Sequence, residues 1–118
     1  MEPLNLAAAG DMARRLNDLF PEADPRAVAA MAATPRHLFV SQAFAHLAYS
    51  NAALPIGFGQ TISKPATVLR MLSGMSGAFG GVLLEVGSGS GYLAAVASKL
   101  FDRVVCVETV LGLANASR

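Results

Sequence analysis

Acidic residues are missing from the middle of this 118-residue chain, with no Asp or Glu between Asp24 and Glu85. Arg26, Arg36, Lys64 and Arg70 fall inside that interval, together with His37 and His46. Four scattered cations read first as a solvated face. The alternative is a stretch that draws in an anionic ligand, because a cleft lined by one sign of charge concentrates counter-ions. Charge is sparse overall: charged residues make up 14% of the chain and the net charge is +1, so bulk electrostatics call for neither nucleic acid nor an anionic membrane surface. Cysteine is almost absent. Cys106 stands alone, which excludes an internal disulfide and points to a reducing compartment. Its place inside a β-branched run predicts a buried, unreactive thiol. No apolar run reaches membrane-spanning length, since glycine, proline or charge interrupts each one. No basic segment precedes an apolar run at the N-terminus, so no secretory signal is expected. The reading is a soluble, cytoplasmic chain with no metal site. Hydrophobic residues make up 53% of it, enough for one core at this length.

Helix signals dominate the first half. Met12, Leu16, Leu19 and Phe20 recur at helical steps and predict a helix from Asn5 to Phe20 with these four on one buried stripe. Pro21 stops it. Asp24-Pro25 reads as an N-cap followed by proline at the first helical position, opening a second helix through Ala33. Thr34-Pro35 ends that helix, because the residue before proline is pushed out of the helical region. A further short helix is expected from Ser41 to Ala48. Residues 49–64 then lose periodicity and are rich in turn formers, predicting a long loop with apolar anchors at Leu54, Ile56, Phe58 and Ile62. Pro65 opens another helix to Ser73, with Val68, Leu69 and Leu72 on one side. Ser63 is placed to cap that helix or, with Thr61, to offer hydroxyls to an anion at its N-terminus. Glycines at 74, 77, 80 and 81 mark a flexible connection.

The densest signal lies further on. Strand Val82–Val86 runs into Gly87-Ser88-Gly89-Ser90-Gly91, helix Tyr92–Leu100 follows, and strand Val104–Val107 ends at Glu108. This is a βαβ unit of the nucleotide-binding kind. The dinucleotide pattern G-x-G-x-x-G fails because position 92 is Tyr92, and the Lys-Ser/Thr of a phosphate-cradling loop is absent. Small residues at the carboxyl end of a strand let a bulky ligand approach the backbone, and an acid at the end of the next strand suits two ribose hydroxyls. The ligand so described is a nucleoside with a free ribose, with S-adenosylmethionine the candidate. A glycine turn made only for tight packing is the alternative.

The segment Leu54-Pro55-Ile56-Gly57-Phe58-Gly59-Gln60-Thr61-Ile62-Ser63-Lys64-Pro65, followed by Leu84-Glu85-Val86-Gly87-Ser88-Gly89-Ser90-Gly91-Tyr92, resembles the protein-L-isoaspartate (D-aspartate) O-methyltransferase family. Thr34-Pro35-Arg36-His37-Leu38-Phe39-Val40 and Ala48-Tyr49 match that family's N-terminal pattern in order and spacing. The resemblance implies an α/β fold: an N-terminal helical subdomain with an active-site loop over residues 1–80, then the first βαβ of a class I, Rossmann-like methyltransferase sheet over 81–118. It implies methyl transfer from S-adenosyl-L-methionine to the free carboxylate of isoaspartyl or D-aspartyl residues, leading through a succinimide to protein repair. Ser63 corresponds to the family's active-site serine or threonine. Ile56, Gly57, Thr61 and Ser63 fall on the substrate side. Gln60, Thr61, Ile62, Ser63, Glu85, Gly87, Ser88, Gly89, Ser90, Gly91 and Glu108 fall on the cofactor side. Isoaspartyl-containing proteins or peptides are the implied partners. The family continues well past Arg118, so this chain is expected to carry a truncated sheet whose exposed edge favours self-association or swapping. A peptide-tailoring carboxyl methyltransferase and a non-catalytic fragment that binds cofactor or a partner are the competing functions.

Overall fold

The computed structural model describes residues 6–108. The expected start of the first helix at Asn5, and residues 109–118 of the second segment, lie outside the described residues. Helix α1 spans Ala7–Leu19 and α2 spans Pro25–Ala32, and the two pack side by side. Two short 3-10 turns follow, Arg36–Phe39 and Gln42–Leu47, the second standing where a short α-helix was expected. Strands β1 (Leu54–Gly57) and β2 (Gln60–Ile62) form an antiparallel hairpin, and α3 spans Pro65–Gly74. After a 3-10 turn at Ser76–Ala78 come β3 (Val82–Val86), α4 (Tyr92–Ala97) and β4 (Arg103–Val107). Strands β3 and β4 pair in parallel, with Glu85 opposite Cys106 and Val86 opposite Val107.

The helix signals were read correctly where local chemistry decides them. Asp24 caps α2, its Oδ1 accepting from the Arg26 N–H at 2.8 Å, with Pro25 at the first helical position. Helix α1 buries Ala9, Met12, Ala13 and Leu16. Leu19 is a correction: it is exposed, because α1 ends there and no element covers the far side of its last turn. Helix α4 ends at Ala97, three residues earlier than expected, and Phe101 beyond it still turns into the core.

The long loop is also a correction. Residues 54–62 pair into the hairpin, whose tip residues Phe58 and Gly59 both have positive φ, 56° and 71°. Positive φ at both central positions marks the type I′ turn that matches strand twist. Alternation put Leu54 and Ile62 inward as cross-strand partners, and both are buried. The hairpin departs from the expected loop because Pro55 and two glycines, Gly57 and Gly59, read locally as loop residues.

One core joins the helices, the hairpin and α4 among the described residues. Met12 and Leu16 of α1, Met31 of α2, Ile62 of the hairpin, Val68, Leu69 and Leu72 of α3, and Tyr92 and Val96 of α4 form a single buried cluster. It therefore crosses the 80/81 boundary. Among the described residues the sheet is covered on one face only: Leu83 and Val104 pack on the core, while Val82, Leu84 and Val86 are 67%, 61% and 71% exposed. Cys106 is exposed rather than buried, which corrects the sequence reading. Among the described residues it sits on an edge strand of a two-stranded sheet, near the strand's carboxyl end. Among the described residues no helix is long and apolar enough to cross a membrane, and no group of three or more His, Cys, Asp or Glu is placed to hold a metal ion.

Candidate functional site

The turn after β3 is held open by its backbone. Gly87, Gly89 and Gly91 have φ of 79°, 57° and 87°, a left-handed region that side chains disfavour, so alternate glycines follow from conformation. Packing is not the reason at Gly87: a Cβ there meets nothing within 4 Å. The turn is pinned from β4, whose Val107 carbonyl accepts the Gly87 N–H at 2.6 Å and the Ser88 N–H at 3.3 Å. Glu108 closes the arrangement, with Oε2 accepting the Gly89 N–H at 2.6 Å. The acid expected to serve a ribose thus also braces the glycine turn.

A cavity of about 330 Å³ opens beside this turn, between it and the start of α3. Thr61, Ile62, Ser63, Glu85, Gly87, Ser88, Gly89 and Ser90 line it, with Met71, Met75 and Leu93 adding apolar wall. Eight of the residues singled out in the sequence therefore share one space. Ile56, Gly57, Gln60, Gly91 and Glu108 do not line it. Ile56 instead lies against the turn, its Cδ1 3.4 Å from where a Cβ on Gly89 would stand. Gly91 is the N-cap of α4, and Gln60 is exposed on the hairpin.

Ser63 is exposed at the cavity wall and does not cap α3, correcting one of its two expected roles. Lys64 occupies the cap position without a side-chain bond, and the Ala66 N–H is taken by Asn51 Oδ1 at 3.1 Å. With Pro65 lacking an N–H and Ala66 already bonded, the start of α3 is largely satisfied within the chain, which weakens its claim on an anion.

What positions Ser63 is Arg36. This residue is wholly buried, which corrects the picture of surface cations. Its Nε donates to the Ala48 carbonyl at 2.8 Å, and its Nη2 to the Ser63 carbonyl at 2.7 Å and the Ala52 carbonyl at 3.5 Å. The guanidinium lies over the Tyr92 ring, 4.7 Å from its centroid, and Phe39 meets the same ring edge-on. Arg36 thereby ties the hairpin exit to the first residue of α4. Its planar fork suits several carbonyls at once, which a lysine could not match. Burial lowers its basicity without removing its charge. The Thr-Pro-Arg-His string was the only sequence signal for it.

Glu85 is the other perturbed group. Half-buried beneath the turn, its carboxyl is pushed up to about 7, mainly by burial and further by the negative charge of Glu108. Cys106 Sγ, 3.8 Å from Glu85 Oε1, opposes this by donating. The thiol, though exposed, is itself pushed up by partial desolvation and by the negative charge of Glu85. A carboxyl poised near neutrality in the cavity wall can accept or donate a hydrogen bond.

A strand, a glycine turn, a helix and an acid-terminated parallel strand, with a polar hairpin exit facing the turn, define the opening βαβ unit of a Rossmann-like fold. Comparison with known proteins takes this further. The sequence profile described as Protein-L-isoaspartate(D-aspartate) O-methyltransferase (PCMT) matches residues 11–118, and the chain belongs to that family. It is 48% identical over 95 residues to a protein-L-isoaspartate O-methyltransferase of Magnetococcus marinus, covering 80% of this chain and 42% of that protein. It is 49% identical over 100 residues to the Methylibium petroleiphilum protein of the same name, covering 80% and 37%. The chain thus spans less than half the length of these relatives. A crystal structure from Plasmodium falciparum, assigned as a protein-L-isoaspartate O-methyltransferase in complex with S-adenosyl-L-homocysteine, superposes with a TM-score of 0.80 at 24% identity. That superposition covers 92% of this chain and 52% of the other, and it establishes the shared fold.

Proposed function

We propose that this chain binds S-adenosylmethionine beside the Gly87–Gly91 turn and presents the free carboxylate of an isoaspartyl residue to it at Ser63. The observation that carries the reading is that Ser63, Glu85 and the glycine turn line one cavity. The open space at Gly87 and the left-handed glycines fit a ligand that approaches the backbone closely. Gln60, Thr61, Ile62 and Ser63 stand between the two ligands, Ile56 and Gly57 on the substrate side. Glu85, Gly87, Ser88, Gly89, Ser90, Gly91 and Glu108 hold the cofactor. In this scheme residues 1–80 supply the substrate side and residues 81–118 the cofactor side.

Bound there, S-adenosylmethionine supplies a methyl group activated by the positive sulfonium. A carboxylate is already a nucleophile at neutral pH, so no strong base is needed and the protein's task is alignment. The Ser63 hydroxyl would donate a hydrogen bond to one carboxylate oxygen, leaving the other free to act as the nucleophile. Arg36 holds the Ser63 backbone while this happens. In the product ester the following backbone nitrogen attacks the carbonyl carbon and expels methanol, and hydrolysis of the resulting succinimide restores part of the normal aspartate, a repair reaction suited to the cytoplasm.

Two measurements test the reading. Calorimetry should show S-adenosylhomocysteine binding, and an isoaspartyl peptide should release methanol after incubation with labelled S-adenosylmethionine. Absence of both refutes the proposal. A second reading, cofactor binding without turnover, is favoured by the uncovered sheet face of Val82, Leu84 and Val86. It predicts binding with no methanol, together with self-association through that sheet that rises with concentration in analytical ultracentrifugation.

A further inference from the structure

Among the described residues, Phe58 is the one non-glycine with positive φ, at 56°. It occupies the first central position of the hairpin turn, where glycine, asparagine or aspartate is the usual choice. Its ring is 61% exposed, so burial does not explain the choice. The residue breaks a local rule with no packing return. Such violations collect at functional sites, and the sound inference runs from the observed outlier to a function. The next strand of the same hairpin, Gln60–Ile62, leads directly to Ser63 at the cavity wall. The hairpin itself rests on the glycine turn through Ile56.

We infer that Phe58 is a specificity residue: its ring stacks on an apolar or aromatic side chain of the peptide whose isoaspartyl carboxylate lies at Ser63. This rests on the function proposed above. Phe58 precedes Ser63 by five residues. An extended strand rises about 3.4 Å per residue, so the ring lies up to about 17 Å from the carboxylate. An extended peptide covers that distance in the same number of residues. The contact therefore falls several positions from the isoaspartyl residue, within about five.

The test walks one phenylalanine through positions one to six from the isoaspartyl residue in an otherwise serine-glycine peptide, with kcat/KM measured for each. One position should raise kcat/KM by about fivefold, the scale of an aromatic pair. Phe58→Asn should abolish that preference, and Phe58→Tyr should retain it. Asparagine tolerates the left-handed region, so the Asn variant should melt no lower than the parent, and up to about 4 °C higher. No preferred position, or a preference that survives Phe58→Asn, overturns the inference. So does a clear fall in Tm for Phe58→Asn, which identifies the ring as packing. Failure of the underlying function looks different: the parent chain then releases no methanol from any peptide, and the inference falls with it.

Discussion

Removing the Arg36 guanidinium tests the central structural claim, that a buried cation organises the candidate site. Arg36→Met keeps length and apolar volume but leaves the carbonyls of Ala48 and Ser63 without donors that now stand at 2.8 and 2.7 Å. A hydrogen bond to a charged group contributes about 1.5–3 kcal/mol. Two of them, with roughly 1 kcal/mol for the stack on Tyr92, give about 4–7 kcal/mol. Relief of the desolvation penalty on a buried charge offsets part of this, leaving a net loss of about 3 kcal/mol. The bond to Ala52 at 3.5 Å is too long to count in full. In urea, with a slope of roughly 1.5 kcal/mol per molar, the midpoint should fall by about 2 M at an unchanged slope. Arg36→Lys keeps the charge but reaches one carbonyl at a time, and should recover less than half of the loss. A loss below about 1 kcal/mol for Met, or full recovery with Lys, would refute the clamp.

Other perturbations separate the remaining roles. Ser63→Ala removes a hydroxyl at the cavity wall that caps no helix, so stability should hold. Turnover should fall by about 10- to 100-fold, with S-adenosylhomocysteine affinity nearly unchanged in calorimetry. Equal activity would sink its assigned role. Asn51→Ala strips the bond to the Ala66 N–H and should cost about 1 kcal/mol in denaturant titration, while Ser63→Ala costs less. Glu85 sits near 7 when folded against an ordinary value of 4.5, so the folded state binds more protons across that window. Stability should therefore fall as pH rises from 4.5 to 7, and Glu85→Gln should flatten that slope. An unchanged pH dependence in the Gln variant would mean another group titrates.

Much of the site was legible because its parts are local. Alternate glycines between a β-branched run and an apolar helical run mark a tight turn, and proline after Asp24 marks a helix start. The hairpin was less legible, since Pro55 and Gly57 mimic a loop until Gln60–Ile62 pairs across from them. Ser63 illustrates the limit. Its position before Pro65 made it a plausible cap, yet Asn51, 15 residues upstream of Ala66, took the Ala66 N–H. Nothing in the intervening residues announces such a partner.

The sequence by itself determined where the helices start, where the glycine turn lies and which lineage carries the string from Leu54 to Pro65. Each of these follows from backbone dihedrals, periodicity or residue order along the chain. Tertiary structure alone decided that Arg36 lies inside, that Cys106 lies outside, and that Glu85 titrates near neutrality. Burial and charge environment depend on what stands across from a residue in space. Arg36 is covered because three loop carbonyls and Tyr92 converge on it. Cys106 is exposed on β4, an edge strand among the described residues.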